Sequence, residues 1–213
     1  MRKIIVVLAA VVGLIAIVGS SIAWHFWLQQ RPVAHHNKAE VVTYSTDTPS
    51  EDKPGDNYNW QGAANDPKKI IIPSIGVDAY LQNVGIDQKK EIAIPNNIHM
   101  GGWFVDSVRP GDKGLSIIDG HLNGYTQDGV FVSLEQLKVG DTYTVTFGNN
   151  QAVQFSVVKI ATVSLAEAPS VLFSQDQSIA RQLNLITCGG EWDKDARLYD
   201  KRVIVISEAV SRT

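Results

Sequence analysis

Leu183-Asn184-Leu185-Ile186-Thr187-Cys188-Gly189-Gly190 is an apolar strand that ends on the chain's one cysteine and runs into a glycine pair. Period two places Asn184, Ile186 and Cys188 on one face and Leu183, Leu185 and Thr187 on the other. A strand end that opens into glycines sets a side chain at a rim, where another backbone can approach closely. A lone cysteine staples nothing within its own chain. It is either a small buried hydrophobe or a thiol kept for chemistry.

Similar short runs surround it. Lys69-Ile70-Ile71-Ile72-Pro73 reads as a strand start, and Leu115-Ser116-Ile117-Ile118-Asp119 as a short apolar strand. Thr142-Tyr143-Thr144-Val145-Thr146-Phe147 alternates, Gly148-Asn149-Asn150 turns, and residues 154–160 alternate back, which predicts a hairpin. Residues 182–187 and 202–207 read as two further strands. Helix is confined to a turn near residues 132–137 and another within 164–180. Many short strands cut by regular turns point to a closed all-β barrel.

Two more residues stand at such strand ends. His121, in Asp119-Gly120-His121-Leu122-Asn123-Gly124, follows an apolar strand beside glycines. A histidine there can give a proton to a leaving amine or take one from an incoming nucleophile. Taken alone, a histidine there is more often a surface or turn residue, and His99 is the other histidine of the same region. Arg202 opens the strand 202–207. It can snorkel and do nothing else, or hold a developing oxyanion. Its competitor Arg197 lies in the charge run Asp193-Lys194-Asp195-Ala196-Arg197, whose default reading is a solvated loop.

The N-terminal part sets the compartment. Residues 4–28 are almost unbroken apolar, with His25 the one titratable group. At about 1.5 Å per residue that spans a hydrocarbon core of roughly 30 Å. Arg2 and Lys3 precede it, which keeps residues 1–3 in the cytoplasm, and Trp24, Phe26 and Trp27 suit the far interface. An uncleaved anchor is favoured over a cleaved signal peptide, for which Ser21-Ile22-Ala23 is a passable site. Either way the remainder lies outside the membrane. Residues 29–65 are rich in Ser, Thr, Asp, Asn, Gly and Pro and read as a flexible tether. Residues 66–213 form the head, long enough for one sizeable core. A net charge of −3 gives no footing for nucleic acid. With one cysteine, and with His35-His36 in a polar stretch, no metal-site spacing exists.

The glycine-flanked strand ends together resemble the sortase family, the membrane-anchored cysteine transpeptidases of bacterial surfaces. Leu185-Ile186-Thr187-Cys188 matches the family's Leu-x-Thr-Cys strand, and Gly120-His121 its Gly-His. Arg202, 14 positions beyond Cys188, matches its arginine. Similarity also runs through residues 72–79, 102–104, 109–114 and 130–141, so it covers essentially 69–207. Cys188-Gly189-Gly190 is most like class F. The resemblance implies an eight-stranded barrel behind one N-terminal transmembrane helix. It implies Cys188 as nucleophile, His121 as general acid and base, and Arg202 on the oxyanion, with a backbone N–H near Thr187 assisting. The substrate would be a surface protein with an LPxTG-like C-terminal signal. The acceptor would be an amine of a cell-wall precursor or a pilin lysine. No cofactor is expected. Some sortases bind calcium, but Asp106, Asp112 and Asp119 form no dense acidic cluster, so no calcium requirement is expected. Two other readings remain: a hydrolytic cysteine protease with the same residues, and a non-catalytic adhesin or scaffold barrel.

Overall fold

The computed structural model describes residue 46 and residues 48–212. The expected cytoplasmic end, the membrane segment, and residues 29–45 and 47 of the tether lie outside the described residues. Among the described residues no helix is long and apolar enough to cross a membrane.

Eight strands form the fold: β1 Pro67–Ile72, β2 Val77–Val84, β3 Gly101–Phe104, β4 Gly114–Gly120, β5 Thr142–Phe147, β6 Ala152–Ser164, β7 Arg181–Asp193 and β8 Leu198–Arg212. They close into a barrel in the order β1-β2-β3-β4-β7-β8-β6-β5. The all-β closed barrel read from the strand pattern is therefore what the chain builds. A 3-10 turn at Leu134–Gln136 and one short helix, α1 at Ala168–Leu172, occupy the two places where helical turns are expected.

Closure follows from two kinds of connection. The expected β5–β6 hairpin pairs Thr142 with Ser156 through Thr146 with Ala152. The β2–β3 and β4–β7 pairs are parallel, so each needs a long crossover. The first crossover is the loop 85–100. The second carries β5, β6 and α1 before the chain returns to β7.

Alternation sorts the side chains. Ile70, Ile72, Leu81, Ile118, Tyr143, Val145, Phe155, Leu183, Leu185, Val203 and Val205 fill the interior. Fully burying one such aliphatic side chain is worth about 1.5–3 kcal/mol. A second, smaller cluster lies on the other face of β3, β4 and β8: Phe104, Ile117 and Ile204 pack with Ala168 and Leu172 of α1, and Ile186 of β7 leans on them. Two buried amides tie the crossover to β7. Asn184 Nδ2 donates to Leu172 O (2.8 Å), and Gln182 Nε2 donates to Asn184 Oδ1 (2.9 Å) and Ser174 O (2.9 Å).

Two expectations need correcting. The strand carrying Cys188 does not end there, and the strand carrying Arg202 does not begin there. β7 and β8 continue past both residues as one antiparallel ribbon, with Cys188 opposite Arg202 and Trp192 opposite Tyr199. The glycine pair makes an irregularity in that ribbon instead of ending it: the register shifts between Gly189 and Trp192, and Gly190 sits at φ +77°. A β-branched residue would be strained in that conformation.

Residues 48–65, read as tether from composition, lie against the barrel. Trp60 Nε1 donates to Leu81 O (2.9 Å). Buried Asp66 accepts from Ala63 N (3.0 Å) and Asn83 Nδ2 (3.1 Å) through Oδ2, and its Oδ1 lies 3.7 Å from Arg109. Ser50 bridges Asn97 of the β2–β3 crossover.

Candidate active site

β4, β7 and β8 lie side by side, and the three expected residues fall near one end of them: Cys188 on β7, Arg202 on β8 and His121 just past β4. In the parallel β4–β7 ladder Asp119 pairs with Ile186. Two residues onward β7 carries Cys188 on the same face, and His121 is the first residue past the end of β4. Across the antiparallel ladder Cys188 pairs with Arg202. The apolar cluster of Phe104, Ile117, Ile186 and Ile204 forms the floor on that face.

Thr187 points the other way, as period two requires. It is buried, and its Oγ1 donates to Gly120 O at 2.8 Å. The hydroxyl thus locks the end of β4 to β7, immediately before His121 and Cys188. Any help Thr187 gives a substrate would have to come from its backbone.

His121 has a defined tautomer. Its Nε2 lies 2.7 Å from Pro95 O. A carbonyl only accepts, so Nε2 carries the hydrogen, and Nδ1 is the nitrogen left for proton transfer. Burial pushes the imidazole below its ordinary value of 6.5, while the Pro95 bond leans the other way. The Cys188 side chain is half-buried. Burial pushes the thiol above its ordinary 9.0; the Arg202 guanidinium opposes that, and Asp119 adds to it. Burial thus favours the uncharged form of each group, thiol and neutral imidazole. Arg202 is held by backbone carbonyls: one guanidinium nitrogen donates to Tyr199 O (3.1 Å) and Lys201 O (2.8 Å). That orients a permanent positive charge beside the sulfur.

Asp119 has a place in the site that its role as a strand residue does not foretell. It shares the face of Ile186 and Cys188, is buried, and its Oδ1 has no hydrogen-bond partner. Burial pushes its carboxyl well above the ordinary 3.8, with the N–H groups of Asp119 and Gly102 leaning the other way. The folded state therefore binds its proton more tightly than the unfolded chain. That stability is fully present below the unfolded pKa and is lost as pH rises through the folded pKa. Asp119→Asn removes the dependence. We expect urea denaturation to show the wild type losing ground to Asp119→Asn from pH 4 upward, by about 1.4 kcal/mol per pH unit between the two pKa values. Parallel stability curves for the two proteins would refute this.

Arg197, at φ +54°, and the surrounding charges lie at the far tip of the β7–β8 ribbon, away from the Cys188–Arg202 pair. His99 is spent on Glu51 O (3.0 Å). Among the described residues no three His, Cys, Asp or Glu are grouped to hold a metal ion.

The family model of the sortase domain matches residues 70–210, the whole barrel from β1 into β8. The chain belongs to the sortase family. Solved structures agree at the level of fold. A pilus-related sortase C of Group B Streptococcus aligns with TM-score 0.52 at 17% identity, over 70% of each chain. Sortase C1 of Streptococcus agalactiae aligns with TM-score 0.51 at 24% identity, over 68% of this chain and 67% of that one. Sortase A of Corynebacterium diphtheriae aligns with TM-score 0.53 at 18% identity, over 71% of this chain and 63% of that one. No curated protein matches the chain. This sortase is thus one of a family of cysteine transpeptidases, and Cys188 is its one cysteine.

Proposed function

We propose that this sortase is a membrane-anchored transpeptidase that cleaves an LPxTG-like sorting signal between Thr and Gly and passes the surface protein to an amine. The observation that supports the reading is that Cys188 pairs with Arg202 across β7–β8, while His121 follows the end of β4, the parallel neighbour of β7. The reacting form has Cys188 as thiolate and His121 as imidazolium, protonated on both Nε2 and Nδ1, and the Cys188 sulfur attacks the Thr carbonyl carbon. The oxygen takes up the charge, opposite the guanidinium of Arg202. His121 gives the proton on Nδ1 to the Gly nitrogen as the C–N bond breaks, leaving a thioester on Cys188. An incoming amine attacks the thioester, Nδ1 takes its proton, and the sulfur leaves. A backbone N–H near Thr187 assists at the oxyanion. The amine belongs to a cell-wall precursor or a pilin lysine. The apolar run 4–28 anchors the enzyme with the catalytic domain outside the cell, and the Cys188-Gly189-Gly190 run puts it nearest class F.

Product analysis separates this from hydrolysis. A labelled LPxTG pentapeptide incubated with rising amine should shift from free acid to amide product. Free acid at every amine concentration would make the enzyme a protease. A scaffold barrel would leave Cys188 unlabelled by a methanethiosulfonate in the folded protein and give no product at all.

A further inference from the structure

Two loops hold His121. The crossover 85–100 supplies Pro95 O to the imidazole. The hairpin 121–131 supplies the backbone: Phe131 N donates to His121 O (3.0 Å) and Gly129 N to Leu122 O (2.9 Å). The loops meet at their base, where Val130 N donates to Ile98 O (2.7 Å). Away from that base they are joined by a third segment, residues 50–52, upstream of the barrel.

On the crossover side, Ser50 N donates to Asn96 O (2.8 Å) and Ile98 N to Ser50 O (2.9 Å). Asn97 Nδ2 donates to Asp52 O (2.8 Å) and His99 Nε2 to Glu51 O (3.0 Å). Pro95, the residue on the imidazole, directly precedes this paired run. On the hairpin side Gln127 Nε2 donates to Glu51 O (3.2 Å), and three further donors converge on the Glu51 carboxylate. Glu51 Oε1 accepts from Tyr125 N and from Thr126 N (3.0 Å), and Oε2 accepts from the Thr126 hydroxyl. These donors cap the hairpin tip, closed by Gly124 N on Gln127 O (2.8 Å). A carboxylate suits the place: it offers two oxygens to three donors, and charged acceptors make the stronger bonds. The Thr126 bonds, and behind them the Tyr125 N–H, hold its pKa below the ordinary 4.5. Gly124 completes the fit, because a Cβ there would collide with Glu51 Oε1.

We propose that Glu51 is a positioning residue for His121, clasping together the two loops that fix the imidazole. The proposal rests on the role given to His121 above. Glu51 touches no reacting atom. It acts by holding the hairpin against the crossover, so that the Pro95 carbonyl keeps Nε2 protonated and Nδ1 turned to the chemistry. The segment just outside the barrel is thereby part of the catalytic apparatus.

The test uses the full chain in detergent, with Glu51→Ala, Glu51→Gln and Gly124→Ala. Glu51→Ala removes the carboxylate's three bonds and leaves the Gln127–Glu51 O bond; Gly124→Ala pushes the carboxylate off from the opposite side. Both should lower kcat for amine transfer about ten- to a hundredfold, the scale of a misplaced catalytic group, with KM within about twofold. Glu51→Gln keeps one acceptor oxygen and should fall between Glu51→Ala and wild type. Imidazole nitrogen NMR, with the His121 signal assigned through His121→Gln, supplies a readout that stability alone would not move. The wild type should show a fixed Nε2–H tautomer and the two Ala variants an averaged one. Wild-type kcat and a fixed tautomer in folded Glu51→Ala or Gly124→Ala would overturn the proposal. If Glu51→Ala does not fold, Gly124→Ala decides alone. If the wild type transfers nothing, the functional reading fails, while the tautomer comparison still tests the clasp.

Discussion

Cys188→Ala is expected to lower amine transfer by at least about 10⁴-fold, the scale seen when a covalent nucleophile is removed. No other thiol exists in the chain to take over. The fold should survive. The side chain is half-buried on the outer face and belongs to neither apolar cluster. Its loss costs at most about 1 kcal/mol, roughly 2–4 °C in thermal midpoint for a chain of this size. Intact-mass spectrometry of enzyme mixed with the labelled pentapeptide should show a thioester on the wild type and none on the variant. Transfer by folded Cys188→Ala at more than a hundredth of the wild-type rate would remove Cys188 from the mechanism.

The strands that alternate cleanly, β5 and β6, were legible because one face of each is core and the other is not. β3 was not. Gly101-Gly102-Trp103-Phe104 has poor intrinsic strand character, and it is extended because β2 and β4 flank it with free backbone groups. The reach of β7 was misjudged for a related reason. Gly189-Gly190 looks like a strand terminus, yet a long ribbon absorbs such a pair as an irregularity when pairing resumes at Trp192 and Tyr199.

The same division runs through the site. Cys188, His121 and Arg202 carry their chemistry in the side chain and could be found from residue type and glycine context. Pro95 contributes a carbonyl, which every residue has, so its identity gives no signal. Asp119 looked like an ordinary strand residue because its unusual property is burial. Glu51 was hidden in a polar stretch that composition assigns to a tether. Its partner Thr126 is 75 positions away in sequence, and two of the three donors there are backbone N–H groups, of Tyr125 and Thr126, which no local pattern announces. Composition measures what a segment can bury. It does not measure how many backbone groups elsewhere lack a partner until that segment arrives.

His121→Gln is expected to lower kcat for transfer by about 10²–10⁴-fold, the usual worth of a positioned acid and base. The choice of Gln follows from the tautomer. Nε2–H of His121 donates to Pro95 O at 2.7 Å, and the Gln amide can keep that donor. What Gln cannot supply is a nitrogen that gains and loses a proton in place of Nδ1. Stability should therefore stay near wild type while both halves of the reaction slow, since the leaving Gly amine and the incoming amine need the same atom. The thiol gives a second readout. Arg202, not His121, is the charge that lowers the Cys188 pKa against burial. Alkylation of Cys188 by a haloacetamide needs only the thiolate, so its rate in His121→Gln should climb with pH past 9.0 much as in wild type. Transfer lost with alkylation retained marks His121 as the proton carrier. If alkylation falls by the same factor as transfer, His121 acts instead by generating the thiolate, and the division of labour between it and Arg202 is reversed.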